Sequence, residues 1–141
     1  MKHTINAEYK SGMRFDIDVL GHKIIVDAKP EGGGNNEGPS PKPLMLAALA
    51  GCTGMDVVFM LKKMRVPFDS ISLKIDGELN EEHPKKYTKM HITYQFKGNV
   101  PYDKAENAVK LSVEKYCGVY AVYKEAVEMS YSIEINGIMK Q

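Results

Sequence analysis

The chain has 141 residues, the length of one domain, and we interpret residues 1–141 as a single domain around one hydrophobic core. Apolar residues make up 43% and charged residues 26%, which excludes a disordered tail, a collagen-like fibre and a coiled-coil rod. The 19 basic and 18 acidic residues leave a net charge of +1, so no basic excess favours nucleic acid as a partner.

Three strands are predicted at the start of the chain, over residues 3–9, 13–19 and 23–28. In the second strand apolar residues alternate with charged ones, which predicts one buried face made of Met13, Phe15, Ile17 and Val19. Gly21-His22 is typical of a tight turn into the third strand. Residues 30–39 are rich in Gly and Asn and lack the Lys-Ser/Thr pair of a phosphate loop, so we interpret them as a connector.

A long helix is predicted from the Ser40-Pro41 start signal to about Met64, roughly 24 residues. Apolar residues lie on all its faces between Leu44 and Met55, so we expect other structure to wrap it, much of it from a second subunit. The run is barely long enough to cross a bilayer and contains Asp56, which favours a buried core helix over a membrane span. Gly51 and Gly54 indicate either close approach of another element or a functional requirement.

The second half of the chain predicts two long strands, a broken helix and a last strand. The two long strands carry alternating apolar residues, Ile71, Leu73 and Ile75 in one and Met90, Ile92, Tyr94 and Phe96 in the other. Asp103 and Glu106 resemble a capping box, which would open a helix with a buried stripe of Ala105, Val109, Ser112, Val113 and Tyr116. Cys117-Gly118 interrupts that helix or starts another through Val127, and residues 129–135 form the last strand. The order βββ-α-ββ-α(α)-β predicts an α+β fold, with a mainly antiparallel sheet around a long central helix.

No metal site or cofactor is predicted from local spacing. The four histidines are scattered, with no ligand spacing to either cysteine, and the chain has no Cys-x-x-Cys pair and no Gly-x-Ser-x-Gly elbow. The first residues lack the continuous apolar core of a signal peptide, so we expect a cytoplasmic protein. In that reducing compartment Cys52 and Cys117 would more readily form a transient disulfide than a structural one.

Cys52 lies in the middle of the apolar helix, within Ala50-Gly51-Cys52-Thr53-Gly54. A free cysteine there is compatible with simple packing as well as with redox chemistry. The helix dipole acts only over the first turn, and Asp56 one turn onward would disfavour the thiolate. A reactive Cys52 therefore needs a cation supplied from elsewhere in the fold.

Two segments carry a family resemblance that extends over essentially the whole chain. Residues 38–58, GPSPKPLMLAALAGCTGMDVV, and 112–119, SVEKYCGV, resemble the OsmC/Ohr family of osmotically inducible and organic hydroperoxide resistance proteins, most closely its less characterised branch. The resemblance implies an intertwined homodimer that reduces organic hydroperoxides and is reset by an external dithiol or protein thiol. It implies Cys52 as the peroxidatic cysteine, Cys117 as the resolving one and, through Gly12-Met13-Arg14-Phe15, Arg14 as the activating cation.

Two positions depart from the pattern of the peroxidase members. Lys42 stands where they carry an acidic partner for the activating arginine, and Gly118 replaces a proline that often follows the resolving cysteine. Two other functions therefore stay open, a non-catalytic protein that binds an apolar ligand at the dimer interface, and a redox sensor.

Overall fold

A computed structural model describes residues 1–140, which form two compact units. The first unit is Met1–Met45 and the second begins at Leu46.

A three-stranded antiparallel sheet forms the first unit. Its strands β1 (Ile5–Ser11), β2 (Arg14–Val19) and β3 (His22–Val26) lie in chain order, as the alternation predicts. Leu20 and Gly21 both have positive φ, 51° and 91°, so these two residues make the hairpin turn rather than Gly21-His22. The predicted buried face is wrong in part, because Met13 and Phe15 are 54% and 40% exposed.

The loop after β3 is organised by a buried carboxylate. Asp27 is 4% exposed and accepts hydrogen bonds from the backbone N–H groups of Ala28 (2.7 Å), Asn35 (3.2 Å) and Glu37 (3.0 Å). These hydrogen bonds, led by that from Glu37, lower the pKa of Asp27 despite its burial. The loop thus surrounds an anion of its own chain, which agrees with its interpretation as a connector.

Two glycines of this loop are required by close packing against the backbone. A Cβ on Gly34 would collide with the carbonyl oxygen of Ala28, and one on Gly38 with the carbonyl oxygen of Ile25. Gly34 and Gly38 therefore have a steric cause within the first unit and do not indicate a phosphate loop.

The long helix α1 spans Pro43–Lys63, 21 residues, and begins two residues later than the Ser40-Pro41 signal predicts. Its buried residues recur at helical spacing and form one stripe: Leu49, Thr53, Val57, Met60 and Leu61. On another face Met55 and Phe59 are 76% and 61% exposed, so the single chain covers the helix only in part, and the cover expected from a second subunit stays a prediction. The helix is long and apolar enough to cross a membrane by length and composition, a test that core helices of soluble proteins also pass.

A four-stranded mixed sheet receives the buried stripe of α1. Its strands are β4 (Ser70–Leu79), β5 (Tyr87–Lys97), β6 (Glu128–Ile135) and β7 (Ile138–Lys140), in that order. The β5–β6 pair is parallel and the other two pairs are antiparallel. The alternating residues of β5 are buried as predicted, namely Met90, Ile92, Tyr94 and Phe96. The short β7 is an addition to the predicted order, and the α+β class is confirmed.

The helical segment between β5 and β6 is broken in a specific way. Helix α2 spans Tyr102–Leu111, a π-helical turn follows over Ser112–Tyr116, and α3 spans Gly118–Tyr123. The capping-box prediction is wrong, because Pro101 occupies the N-cap without a side-chain bond and Asp103 already lies inside α2. The predicted stripe is otherwise buried, but the wider π turn carries Tyr116 outward, where it is 49% exposed.

We expect Asp27→Asn to destabilise the protein at neutral pH, because an amide cannot accept all three backbone N–H bonds. The lowered pKa of Asp27 means that its contribution is present above the ordinary Asp pKa and is lost as pH falls through the folded-state pKa. The difference in Tm between variant and wild type should therefore shrink on acidification. Asp76→Asn, at an exposed residue on β4, is the matched control. Equal Tm values for Asp27→Asn and wild type at pH 7 would contradict this account.

Candidate functional site

The second unit brings the two cysteines of the chain together. Cys52 is half-buried on α1, and Cys117 is 3% exposed at the end of the π-helical turn. Their sulfur atoms lie within 4.8 Å of each other, and both are free thiols. Two residues far apart in sequence thus face each other at a distance that side-chain movement can close to a bond of about 2 Å.

The π-helical turn places Cys117. The backbone N–H of Cys117 donates to the carbonyl of Ser112 at 2.8 Å, an i→i+5 bond, and Cys117 itself is extended at φ −78° and ψ 103°. Its sulfur accepts a hydrogen bond from the backbone N–H of Tyr120 at 3.3 Å, so the thiol caps α3. The predicted interruption at Cys117-Gly118 is confirmed, and such π turns are frequent at functional sites.

The two thiols have different environments. Burial raises the pKa of Cys117 to about 12, and the hydrogen bond to Cys52 and the negative charge of Asp56 act in the same direction. The N–H of Tyr120 opposes this shift but does not overcome it. Cys117 is therefore held as a protonated thiol, while Cys52 is the more accessible sulfur.

Asp56 completes the cluster. It lies one turn after Cys52 on α1, as its spacing predicts, and a carboxylate oxygen is within 4.8 Å of both sulfur atoms. Ser112 Oγ donates a hydrogen bond to Asp56 Oδ2 at 2.9 Å. The carboxylate is thus held in place by the π-helical turn that carries Cys117.

A chain of buried hydroxyl groups extends from Asp56 into the core. Tyr94 Oη lies 2.7 Å from Thr53 Oγ1, which lies 2.7 Å from Ser112 Oγ, and all three residues are fully buried. Because the Ser112 hydroxyl donates its hydrogen to Asp56, it can only accept from Thr53. Thr53 therefore donates to Ser112, and Tyr94 donates to Thr53. Burial raises the pKa of Tyr94, so its phenol stays protonated and serves as the terminal donor. The network connects β5, α1 and the π-helical turn.

The sequence alone does not indicate that Thr53 and Tyr94 belong to the site. It did place Ser112 in the buried stripe of α2, and a hydroxyl in such a stripe must find a partner. That requirement was the available signal for a polar contact at the site.

Arg14 lies on β2 in the first unit, where it is paired with acidic residues. Its guanidinium donates to Asp16 at 2.8 and 3.3 Å and to Glu37 at 3.3 Å. The hydrogen bond from Arg14, with that from Lys23, lowers the pKa of Asp16 to about 2. Arg14 therefore has acidic partners although position 42 is a lysine. The activating role of Arg14 stays a prediction.

The glycines beside the cysteines are not required by close packing within the chain. A Cβ on Gly51 or on Gly118 would meet no atom within 4 Å in the described chain, and one on Gly54 would make ordinary contact with Leu73 at 3.5 Å. Close approach of an element of the same chain therefore does not explain Gly51 or Gly118. The approach of the cysteines is provided by the π-helical turn instead.

Comparisons with known proteins identify the family. The OsmC-like protein family matches residues 33–132. Protein YhfA of Escherichia coli K12 is 34% identical over 116 residues, which cover 82% of this chain and 84% of YhfA. The chain belongs to the OsmC-like family.

Solved structures share the fold over nearly the whole chain. A hypothetical protein from Aquifex aeolicus VF5 superposes with a TM-score of 0.81 at 31% identity, covering 96% of this chain and 98% of that one. An organic hydroperoxide resistance protein OsmC from Legionella pneumophila superposes with a TM-score of 0.71 at 16% identity, covering 95% and 97%. The α+β, OsmC-like fold expected from the resemblance is confirmed.

We expect Ser112→Ala to lower the free energy of unfolding by about 1–3 kcal/mol, because it leaves the buried Thr53 hydroxyl without its acceptor and Asp56 without its donor. Ser72→Ala removes an exposed hydroxyl that bonds Gln95 and should change stability by about 0.5 kcal/mol or less. Urea unfolding of both variants and wild type measures the difference. Equal losses in the two variants would show that the buried network adds nothing specific.

Proposed function

We propose that this protein is a thiol-dependent peroxidase that reduces organic hydroperoxides, with Cys52 as the peroxidatic and Cys117 as the resolving cysteine. The observation that carries the proposal is the pair of free sulfur atoms within 4.8 Å, one half-buried and the other buried. Membership of the OsmC-like family supports it, since a relative with the same fold is an organic hydroperoxide resistance protein.

The first step takes place on the accessible sulfur. The Cys52 thiolate attacks the distal oxygen of the hydroperoxide, the O–O bond breaks, and the leaving alkoxide takes up a proton to give an alcohol. Sulfur is oxidised by two electrons to a sulfenic acid while the peroxide is reduced. Cys52 is the better placed of the two sulfur atoms for this attack, because it is half-buried whereas Cys117 is buried and protonated.

The second step uses the buried thiol. Cys117 loses its proton as its sulfur attacks the sulfenic sulfur, and the departing hydroxide combines with that proton to leave as water. The raised pKa of Cys117 delays its deprotonation until this step, when the proton can pass to the leaving hydroxide. An external dithiol or protein thiol then reduces the disulfide by two exchanges, so the protein needs no bound cofactor for the cycle.

The exposed face of α1 supports a homodimer. An open apolar groove of about 570 Å³ runs along it, lined chiefly by Met55, Val58, Phe59, Ile71 and Leu73. Exposed apolar surface of this kind marks an interaction site, and a second copy of the chain would cover it. Gly51 and Gly54 lie in the groove, where small residues would let the partner approach closely.

The same groove is what favours the alternative function, binding of an apolar ligand without catalysis. Binding sites for small ligands usually enclose most of the ligand's surface. This groove is open, so it suits contact with a second subunit better than a small ligand. A redox sensor would form the same disulfide without useful turnover.

We place the protein in the cytoplasm, where thiol reductants keep both cysteines reduced.

Cys52→Ser should abolish consumption of cumene hydroperoxide in the presence of a dithiol reductant, because the remaining thiol, Cys117, is buried and held protonated by its raised pKa. Cys117→Ser is the matched control, since it keeps the first oxidation and removes only the resolving thiol. After one equivalent of peroxide, intact mass spectrometry should show loss of two hydrogens in wild type and gain of oxygen in Cys117→Ser. Peptide mapping separates that oxygen from oxidation at the nine methionines.

Wild type that consumes no hydroperoxide under these conditions would overturn the peroxidase proposal. Formation of the disulfide without turnover would support the sensor. Unchanged cycling by Cys117→Ser would show that Cys117 only packs.

Arg14→Ala should lower the fraction of Cys52 that reacts with iodoacetamide at pH 7, if Arg14 is the activating cation that the family resemblance implies. The rate of alkylation is measured from pH 5 to 9 in wild type, Arg14→Ala and Arg14→Lys. Lys42→Ala should have a smaller effect. Lys23→Ala removes a positive charge that also pairs with Asp16, and it controls for the general effect of losing a cation nearby. Superimposable profiles for Arg14→Ala and wild type would remove Arg14 from the mechanism.

Phe59→Glu should convert the protein from a species of about twice 15.8 kDa to a monomer, because it places a charge in the apolar groove of α1. Light scattering at micromolar concentration measures the mass. Val122→Glu, at an exposed apolar residue of α3, is the control and should leave the mass unchanged. A monomeric wild type would contradict the homodimer.

A further inference from the structure

Three side chains of types that can ligate metals converge at the cysteine site. Cys52 and Asp56 lie one turn apart on α1, and Cys117 comes from the end of the π-helical turn. One donor atom of each lies within 4.8 Å of the other two. We infer that Cys52, Asp56 and Cys117 form a binding site for a thiophilic divalent cation, with Zn²⁺ the best match. This inference uses the same sulfur atoms as the proposed peroxidase but does not depend on peroxidase activity.

The spacing suits a tetrahedral ion. With zinc–sulfur bonds of about 2.3 Å, two sulfur ligands of a tetrahedral zinc are about 3.8 Å apart, and a sulfur and a carboxylate oxygen are slightly closer. The observed limit of 4.8 Å is within about 1 Å of these separations. Small changes in side-chain torsions, without backbone movement, would therefore bring all three donors into the bonding range.

The donor set selects the kind of metal. Two thiolates favour soft or borderline ions, whereas Mg²⁺ and Ca²⁺ require six or more oxygen ligands that this cluster does not supply. Two thiolates and one carboxylate carry three negative charges, of which Zn²⁺ would neutralise two. Binding would also replace the protons of both thiols, which removes the repulsion between Asp56 and a lone thiolate.

The surroundings of Asp56 are those of an oriented ligand. Ser112 donates to its carboxylate, and the buried Thr53 and Tyr94 hydroxyls continue the chain behind it. Hydrogen bonds of this kind fix the orientation of carboxylate ligands and raise metal affinity. The arrangement leaves a fourth position for water or an external ligand, and the half-buried Cys52 and Asp56 provide access from solvent.

A bound metal and the disulfide exclude each other at this site. Formation of the Cys52–Cys117 bond would remove two of the three ligands, and a bound metal would engage both thiolates. Occupancy would therefore protect the cysteines from alkylation and oxidation, and would make the proposed peroxidase sensitive to zinc.

The test is a titration of the reduced, metal-free protein with Co²⁺, which reports thiolate ligation through a sulfur-to-metal charge-transfer band. We expect one equivalent of Co²⁺ to bind and Zn²⁺ to displace it, while Mg²⁺ in excess does not. Cys52→Ser and Cys117→Ser should each reduce the band to about half or less. Asp56→Asn, which still accepts a hydrogen bond from Ser112, should weaken Zn²⁺ binding about tenfold or more. Asp76→Asn, at an exposed carboxylate of β4, is the matched control and should bind like wild type.

Absence of a charge-transfer band in wild type would overturn the inference, as would equal Zn²⁺ affinity of Asp56→Asn and wild type. Circular dichroism establishes whether each variant is folded. If a variant is unfolded, the stoichiometry of the wild type and the Mg²⁺ competition still decide whether the site binds a thiophilic cation. The titration contains no peroxide, so its outcome is separate from that of the peroxidase assay. An inactive protein that binds Zn²⁺ and an active one that does not are distinguishable results.

Discussion

The hydrogen bonds of Thr53 are the contact on which the candidate site depends. This single hydroxyl, fully buried in the middle of α1, bonds Tyr94 of the sheet on one side and Ser112 of the π-helical turn on the other. Ser112 in turn holds Asp56. Each buried hydroxyl has a partner only if helix, sheet and turn keep their relative positions, because an unpaired one would cost about 1–3 kcal/mol. The network therefore specifies the register in which α1 presents Cys52 to Cys117.

In the proposed peroxidase, the difference in burial between the cysteines would give them different roles. Cys52 is half-buried, while Cys117 is enclosed and protonated, with its pKa raised to about 12 chiefly by burial. A buried thiol reacts slowly with peroxide in solution but quickly with a sulfenic acid held beside it. Such a pair limits over-oxidation because the second sulfur is already in place.

Asp56 has opposite effects on two chemistries at the same site. Its negative charge opposes a free thiolate at Cys117, and the proposed peroxidase would need a cation to offset that charge. The same charge makes the cluster a better ligand set for a divalent cation. In the two proposals the positive charge would come from different sources, a guanidinium for the peroxidase and a metal ion for the binding site.

The sequence by itself determined the elements and the family. Alternating residues such as Met90 and Phe96 predicted buried strand faces correctly, and the motifs around Cys52 and Cys117 indicated the OsmC-like family that the comparisons show. These features are local, since a period of two or a motif of a few residues can be recognised without knowing the path of the chain. The asymmetric exposure of α1, the π-helical turn at Ser112 and the cluster with Asp56 were decided only by the tertiary structure. Apolar composition does not say which helix face a sheet will cover, and a π turn adds a residue that breaks the 3.6-residue period. The spacing predicts Asp56 one turn after Cys52, and the family resemblance implies that the two cysteines act together. The position of Cys117 beside both residues depends on how the chain returns after β5, a non-local event that no local pattern describes.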